Sequence, residues 1–276
     1  MPAVSWFNNM ALRRRTGTLH YREAFEGVTV ALEAALTSGW SDETKRVVNK
    51  IAAILTTAGV IAKADGLYLY GMLNGQSDAL LNWKNPTGNF NCIPVGTPGP
   101  TFTLHRGFLA ISASDSYLST EFNPNVAVSP NISLTSAAMF IQSLTAAASS
   151  TTTADDCGNA GCAIGCRTSG NNVTTRGQNA TGLTTANVGP TGKGFFGWSR
   201  VNGTGYDQYQ ELTATPKVQA NAASFSSTKF RVGSNPGTVT SDREFSGYYF
   251  GAGLTADQVK ALREAFLIMH SYRGIS

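Results

Sequence analysis

The spacing of apolar runs constrains this chain most strongly. Between residues 101 and 251 the runs are short: TFTLHRGFLAI (101–111), SYLSTEF (116–122), ISLTSAAMFIQSL (132–144), KGFFGWSRV (193–201), YDQYQEL (206–212), FSSTKFRVG (225–233) and REFSGYYFG (243–251). Clusters of Gly, Asn, Pro and Ser separate them, and such clusters turn the chain rather than continue a helix. Period-2 alternation, which sends one face to a core and the other to solvent, shows in YDQYQEL and in KFRV. The other runs are apolar on both faces, as in strands covered on both sides. The pattern predicts a mainly β fold, an antiparallel sandwich or jelly roll. The 29 glycines and 10 prolines supply its turns, and 276 residues suffice for one β-rich domain with appendages.

Helices are expected near the two ends. Residues 28–38 read as a short helix stopped at Gly39. A longer one follows Ser41, whose hydroxyl can cap it. Asp42 and Glu43 favour the dipole in its first turn, and Gly59 ends it. Val47, Ile51, Ile54, Leu55 and Ala58 form its apolar face. LYLYG (67–71) reads as a strand and QSDALLNWK as a helical turn. Near the C-terminus, Thr255 and Gln258 make a capping box, with Leu254 and Val259 as its hydrophobic staple. Val259, Leu262, Phe266 and Met269 then form one stripe, closed by Gly274. The predicted organisation is an N-terminal arm at 1–25, a helical segment at 26–66, and a β domain at 67–276 that includes the packing helix 255–273. The arm carries Trp6, Phe7, Arg13, Arg14 and Arg15, and reads as an assembly segment that docks on a neighbouring subunit.

The runs SDETKRVVNKIAAILTTAGVIAKADGLYLYGMLNGQSDALLNWKNPTGNFN, PTFTLHRGF, SYLSTEFNP and GAGLTADQVKAL resemble a family of bacteriophage and prophage proteins. These carry a concanavalin A-like (laminin-G-like) jelly roll behind a short helical N-terminal region. The resemblance covers residues 41–125 and 243–276, with the middle matching only by strand pattern. It implies a virion structural protein: a capsid-surface decoration, tail or fibre component that packs against other virion proteins and copies of itself. Such a protein is made in the bacterial cytoplasm and leaves on the released particle. The alternative is a glycan- or receptor-binding adhesin whose partner is a host surface glycan. No catalytic motif comes with the resemblance.

The residues argue against catalysis. A glycanase needs two carboxylates about 5–9.5 Å apart. The chain has 17 acidic residues and no E-x-D-x-E pattern. Asp207 and Glu211 stand on one strand face, but four residues of strand separate them by about 13 Å. The histidines His20, His105 and His270 accompany no G-x-S-x-G elbow, and neither a P-loop nor a dinucleotide fingerprint is present. No cofactor is expected. Calcium requires several converging oxygens, and ADDCGN and NGTGYDQ offer no diagnostic spacing. A net charge of +4 with one basic run, Arg13 to Arg15, lacks the clustered footprint of a nucleic-acid binder. No stretch approaches the ~18 apolar residues of a membrane span. Neither nucleic acid nor membrane is an expected partner.

Carbohydrate recognition typically sets aromatic platforms beside Asn, Asp and Arg. Trp198, Tyr248 and Tyr249 read as core, since strand aromatics supply much of a sandwich's stability. Tyr206 and Tyr209, which flank Asp207 beside a Gly-rich turn, are balanced between core and glycan contact. DDCGNAGCAIGC (155–166) holds Cys157, Cys162 and Cys166, with Cys92 far upstream. Its C-x4-C-x3-C spacing gives half a zinc site without a second matching pair or a histidine. Glycines at 158, 161 and 165 allow the chain to turn. The expectation is a turn-rich loop holding at least one disulfide, formed after release into an oxidising medium. Cys157–Cys162 and Cys157–Cys166 are the local options, with Cys92 joined to the remainder or to a neighbour.

Overall fold

The computed structural model describes residues 26–111, 115–145, 156–168, 172–179, 181, 183–185, 192–220, 222–234 and 241–275. The arm residues Trp6, Phe7, Arg13, Arg14 and Arg15 lie outside this set. In chain order the helices are α1 (Gly27–Ala35), α2 (Asp42–Thr57), α3 (Val60–Lys63), α4 (Gln76–Ala79) and α5 (Ala256–Arg273). The first strands are β1 (Ala64–Tyr68), β2 (Ile93–Val95), β3 (Thr101–Thr103), β4 (Gly107–Leu109), β5 (Tyr117–Ser119) and β6 (Ala137–Ser143). Next come β7 (Cys157–Gly158), β8 (Cys162–Thr168), β9 (Asn172–Gly177), β10 (Leu183–Thr185) and β11 (Gly194–Asn202). β12 (Gly205–Gln210), β13 (Thr213–Val218), β14 (Arg231–Val232) and β15 (Glu244–Gly251) complete the set.

One sheet runs β13-β12-β11-β6-β15-β4-β3, with β1 also paired to β15; the other runs β10-β9-β8-β7-β14-β5-β2. The strand pairs are antiparallel. Register alternation sorts the first sheet's side chains. Phe196, Ile141, Tyr248 and Tyr68 form one inward row, and Trp198 and Met139 belong to the next. The second sheet meets them with Leu118, Ile164, Val173 and Val232, all buried. Polar bonds bridge the gap: Gln208 Nε2 donates to the Val173 carbonyl at 3.1 Å, and the Tyr206 hydroxyl lies 2.9 Å from Thr175 Oγ1.

The outward face of the first sheet is apolar because helices cover it. α5 lays Val259, Leu262, Phe266 and Met269 on it, each with no exposed surface. Phe266 reaches Phe195, whose ring stacks on Phe140 at 5.1 Å. Thr255 and Gln258 form the expected capping box, and Gly274 takes the left-handed conformation (φ 64°). α2 forms a further layer over α5, with Thr44 Oγ1 2.9 Å from the Tyr272 hydroxyl. Ser41 caps α2 as expected, but its buried face is Thr44, Val48, Ile51, Ala52 and Leu55, a rotation from the predicted stripe. Thr44 meets Tyr272 of α5, and Val48, one turn on, lies on the same buried side.

Two further elements differ from expectation. The LYLYG strand starts earlier, at Ala64, and gives way to a 3-10 turn at Tyr70–Met72. The 101–111 run is two strands joined by a turn in which His105 has φ 64°.

Candidate functional site

The first sheet extends beyond its helical cover at β11, β12 and β13, and a shallow hollow of about 210 Å³ lies there. Its wall includes Val201, Asn202, Thr204, Asp207, Pro216 and Val218. Register fixes the arrangement: Asp207 pairs with Ser199 on one side and Pro216 on the other, and Gly205 pairs with Asn202 and Val218. Asn202 Oδ1 closes the hairpin turn by accepting from Thr204 N (3.2 Å) and Thr204 Oγ1 (3.1 Å). The Ser199 hydroxyl is committed to Leu254, donating to its carbonyl at 2.7 Å and accepting its N–H at 2.8 Å. Beneath the sheet, the fully buried Arg200 donates to the carbonyls of Gly177 (2.8 Å), Gln219 (2.9 Å) and Gly203 (3.3 Å). Three loops are thereby tied together behind the hollow.

Asp207 stands apart in this setting. Among the described residues its half-buried carboxylate has neither an ion pair nor a side-chain hydrogen bond. Lys217 does not face it, because Lys217 pairs with Tyr206 and therefore lies on the opposite face of the sheet. Burial alone lowers the Lys217 ammonium. Beside the carboxylate the rim is apolar and open: Val218 is 93% exposed and Val201 57%.

The structure separates the three possible glycan contacts, Tyr206, Asp207 and Tyr209. Tyr206 is turned into the sandwich, 4% exposed, with its ring 5.8 Å from Trp198; burial pushes its hydroxyl up to about 12. Tyr209 lies under the helical layer, also 4% exposed, against Phe140. Neither ring can serve as a stacking platform, because both faces of the sheet are covered where they project. Asp207 and Tyr206 both border the hollow, but the Tyr206 ring is buried beneath it, and Tyr209 lies away from it. Trp198, Tyr248 and Tyr249 have no exposed surface, as the core reading expected. Sequence reasoning missed Pro216 and Val218, because β13 (TATPKV) carries a proline and was not read as a strand. The available signal was its fine polar alternation directly after the β12 run.

The cysteine-rich stretch is not a loop. Cys157 lies on β7, Cys162 and Cys166 lie on β8, and Cys157 pairs with Ile164. Gly158 (φ 117°) makes the close strand approach possible, since a Cβ there would stand 1.9 Å from the Cys162 carbonyl oxygen. None of the four cysteines is in a disulfide; all are buried thiols, and Tyr70 OH sits 3.6 Å from Cys92 Sγ. The expected disulfides of Cys92, Cys157, Cys162 and Cys166 are therefore corrected. Regular pairing sets Cys157 opposite Ile164, so that Cys162 and Cys166 stand diagonal to it on the same buried face rather than directly across from it. Burial pushes Cys92 and Cys162 up to about 12, and it raises Cys166 well above the usual thiol range too. Among the described residues no group of three or more His, Cys, Asp and Glu could hold a metal ion. At the head of β7, the buried Asp156 pairs with the buried Arg243 and accepts from Ser241 Oγ and Cys166 N, each at 2.6 Å.

No known protein-family model matches the chain, and no curated protein does. Solved structures do. The binding domain of botulinum neurotoxin serotype D superposes with a TM-score of 0.52 at 11% identity, over 76% of this chain and 52% of that one. The same toxin's ligand-binding domain in complex with N-acetylneuraminic acid gives 0.50 at 11% identity, with the same coverages. Domain 4 of AbnA, a GH43 extracellular arabinanase from Geobacillus stearothermophilus, in complex with arabinotriose, gives 0.46 at 15% identity over 73% of this chain and 98% of that one. The chain spans about half the length of the toxin domains it matches. Likeness at this identity concerns the fold, and it agrees with the sheet order: the chain is a mainly β protein, an antiparallel jelly-roll-like sandwich.

Proposed function

We propose that this chain is a glycan-binding module whose sugar contacts lie in the hollow at Asp207. The observation carrying the reading is the Asp207 carboxylate, without a partner among the described residues and set between the Asn202–Thr204 turn and the apolar surface of Pro216, Val201 and Val218. A carboxylate beside a flat apolar surface suits a sugar ring, which offers hydroxyl donors on its rim and C–H groups on its faces. The toxin domain captured with N-acetylneuraminic acid supports sugar binding by this kind of sandwich, but not this choice of sugar: that ligand is a carboxylate, which Asp207 would repel. A hollow of this size suits one ring rather than a long cleft-bound chain.

The sequence resemblance supports placing the module on a bacteriophage particle, where its partner would be a host surface glycan and its neighbours other virion proteins. Screening a broad glycan array with the wild type and with an Asn202→Ala/Asp207→Ala double variant tests the function. The proposal expects hits that the double variant loses while keeping its fold. An empty array, or hits unchanged in the variant, counts against it.

A further inference from the structure

We infer that the hollow at Asp207 selects its ligand by charge: it favours a sugar bearing a protonated amine over its neutral counterpart, and it rejects a carboxylated sugar. The inference rests on the glycan reading above and follows from the donors and acceptors that remain. The Asp207 carboxylate offers about four lone-pair sites, and among the described residues no protein donor occupies them. Both Thr204 donors are spent on Asn202 Oδ1. The Ser199 hydroxyl is spent on Leu254. Lys217 borders the hollow, but its register with Tyr206 sends its side chain to the other face of the sheet, and Arg200 is sealed beneath it among backbone carbonyls. The Asn202 side-chain amide is then the donor left on the rim.

The hollow is accordingly rich in acceptors and poor in donors. A carboxylated sugar brings further acceptors and a like charge. A neutral sugar brings hydroxyl donors, and an amine-bearing sugar brings donors together with the opposite charge. A half-exposed ion pair contributes at most about 1 kcal/mol, so the amine preference should be about fivefold. Salt should weaken it, as screening does for any exposed pair.

Calorimetric titration of the wild type and Asp207→Asn with tetramers of glucosamine, N-acetylglucosamine and galacturonic acid tests this. The expected order for the wild type is amine, then neutral, then acid. In Asp207→Asn the amine preference should vanish and the acidic tetramer should bind better than it does to the wild type. Because Asp207 has no partner among the described residues, the variant should fold normally, which circular dichroism checks. If the order is the same in both proteins, or the acidic tetramer binds the wild type best, charge selection is overturned while the glycan reading stands. If none of the three binds while the array gives hits, charge selection falls and the glycan reading stands; if the array is empty as well, both fall.

Discussion

The ring of Phe140 lies across the backbone of Gly197: a Cβ at Gly197 would stand 2.1 Å from Phe140 Cδ1 and 2.5 Å from the Met139 carbonyl oxygen. The two residues are register partners on β6 and β11, on the face that α5 covers. Gly197→Ala should cost about 1–3 kcal/mol through overpacking, and Phe140→Ala about 3–5 kcal/mol through the cavity it leaves. Because the two changes act on one contact, the double variant should lose less than the sum of the single losses. Urea unfolding midpoints measure all three, and strict additivity would contradict the packing described.

His270 gives the chain a predictable response to acid. Its Nε2 lies 2.9 Å from Ser246 Oγ. Burial, with help from Lys193 and Arg106 and against the pull of Glu211, lowers it from 6.5 to about 4. The folded-state pKa lies below the unfolded one, so beneath pH 6.5 the unfolded chain takes up a proton that the folded chain refuses. Stability should therefore fall between pH 6.5 and 4, by about 2 kcal/mol once partial exposure is discounted. His270→Gln keeps a partner for Ser246 without the titration. Unfolding free energies at pH 7 and pH 4.5 should show the wild type losing more than the variant; equal losses would refute the assignment.

The four thiols should be inert while the chain is folded: all four are buried, and burial also raises Cys92, Cys162 and Cys166 so that they present little thiolate. Iodoacetamide at pH 8 should leave Cys92, Cys157, Cys162 and Cys166 unlabelled in the native state. All four should label in denaturant without a reductant, as read by mass spectrometry. A disulfide-linked peptide in the unreduced digest would contradict the reduced core.

Much of the fold is legible in the sequence because it depends on local patterns. The T-x-x-Q box at Thr255 and the stripe Val259, Leu262, Phe266 and Met269 specify α5 without reference to the rest of the chain, and Ser41 does the same for the start of α2. The cysteine stretch was harder to read. Cys157 and Gly158 form a two-residue strand whose existence depends on β8 and β14 lying on either side. Gly158, which reads as a turn former, instead permits close strand approach. The site shows the same division. Asp207 was legible as a carboxylate beside a Gly-rich turn, whereas the burial of Tyr206 and Tyr209 follows from which sheet face the helices and the second sheet cover. That depends on long-range packing, and alternation within YDQYQEL alone cannot reveal it.

The central claim is that a sugar binds at Asp207. Amide chemical-shift mapping with a saturating saccharide identified on the array tests it most directly. The account predicts perturbations concentrated at Val201 to Asp207 and Pro216 to Val218, and absent from β2, β5 and β14. Perturbations confined to the outer face of the second sheet, around Tyr117 and Arg231, would contradict it.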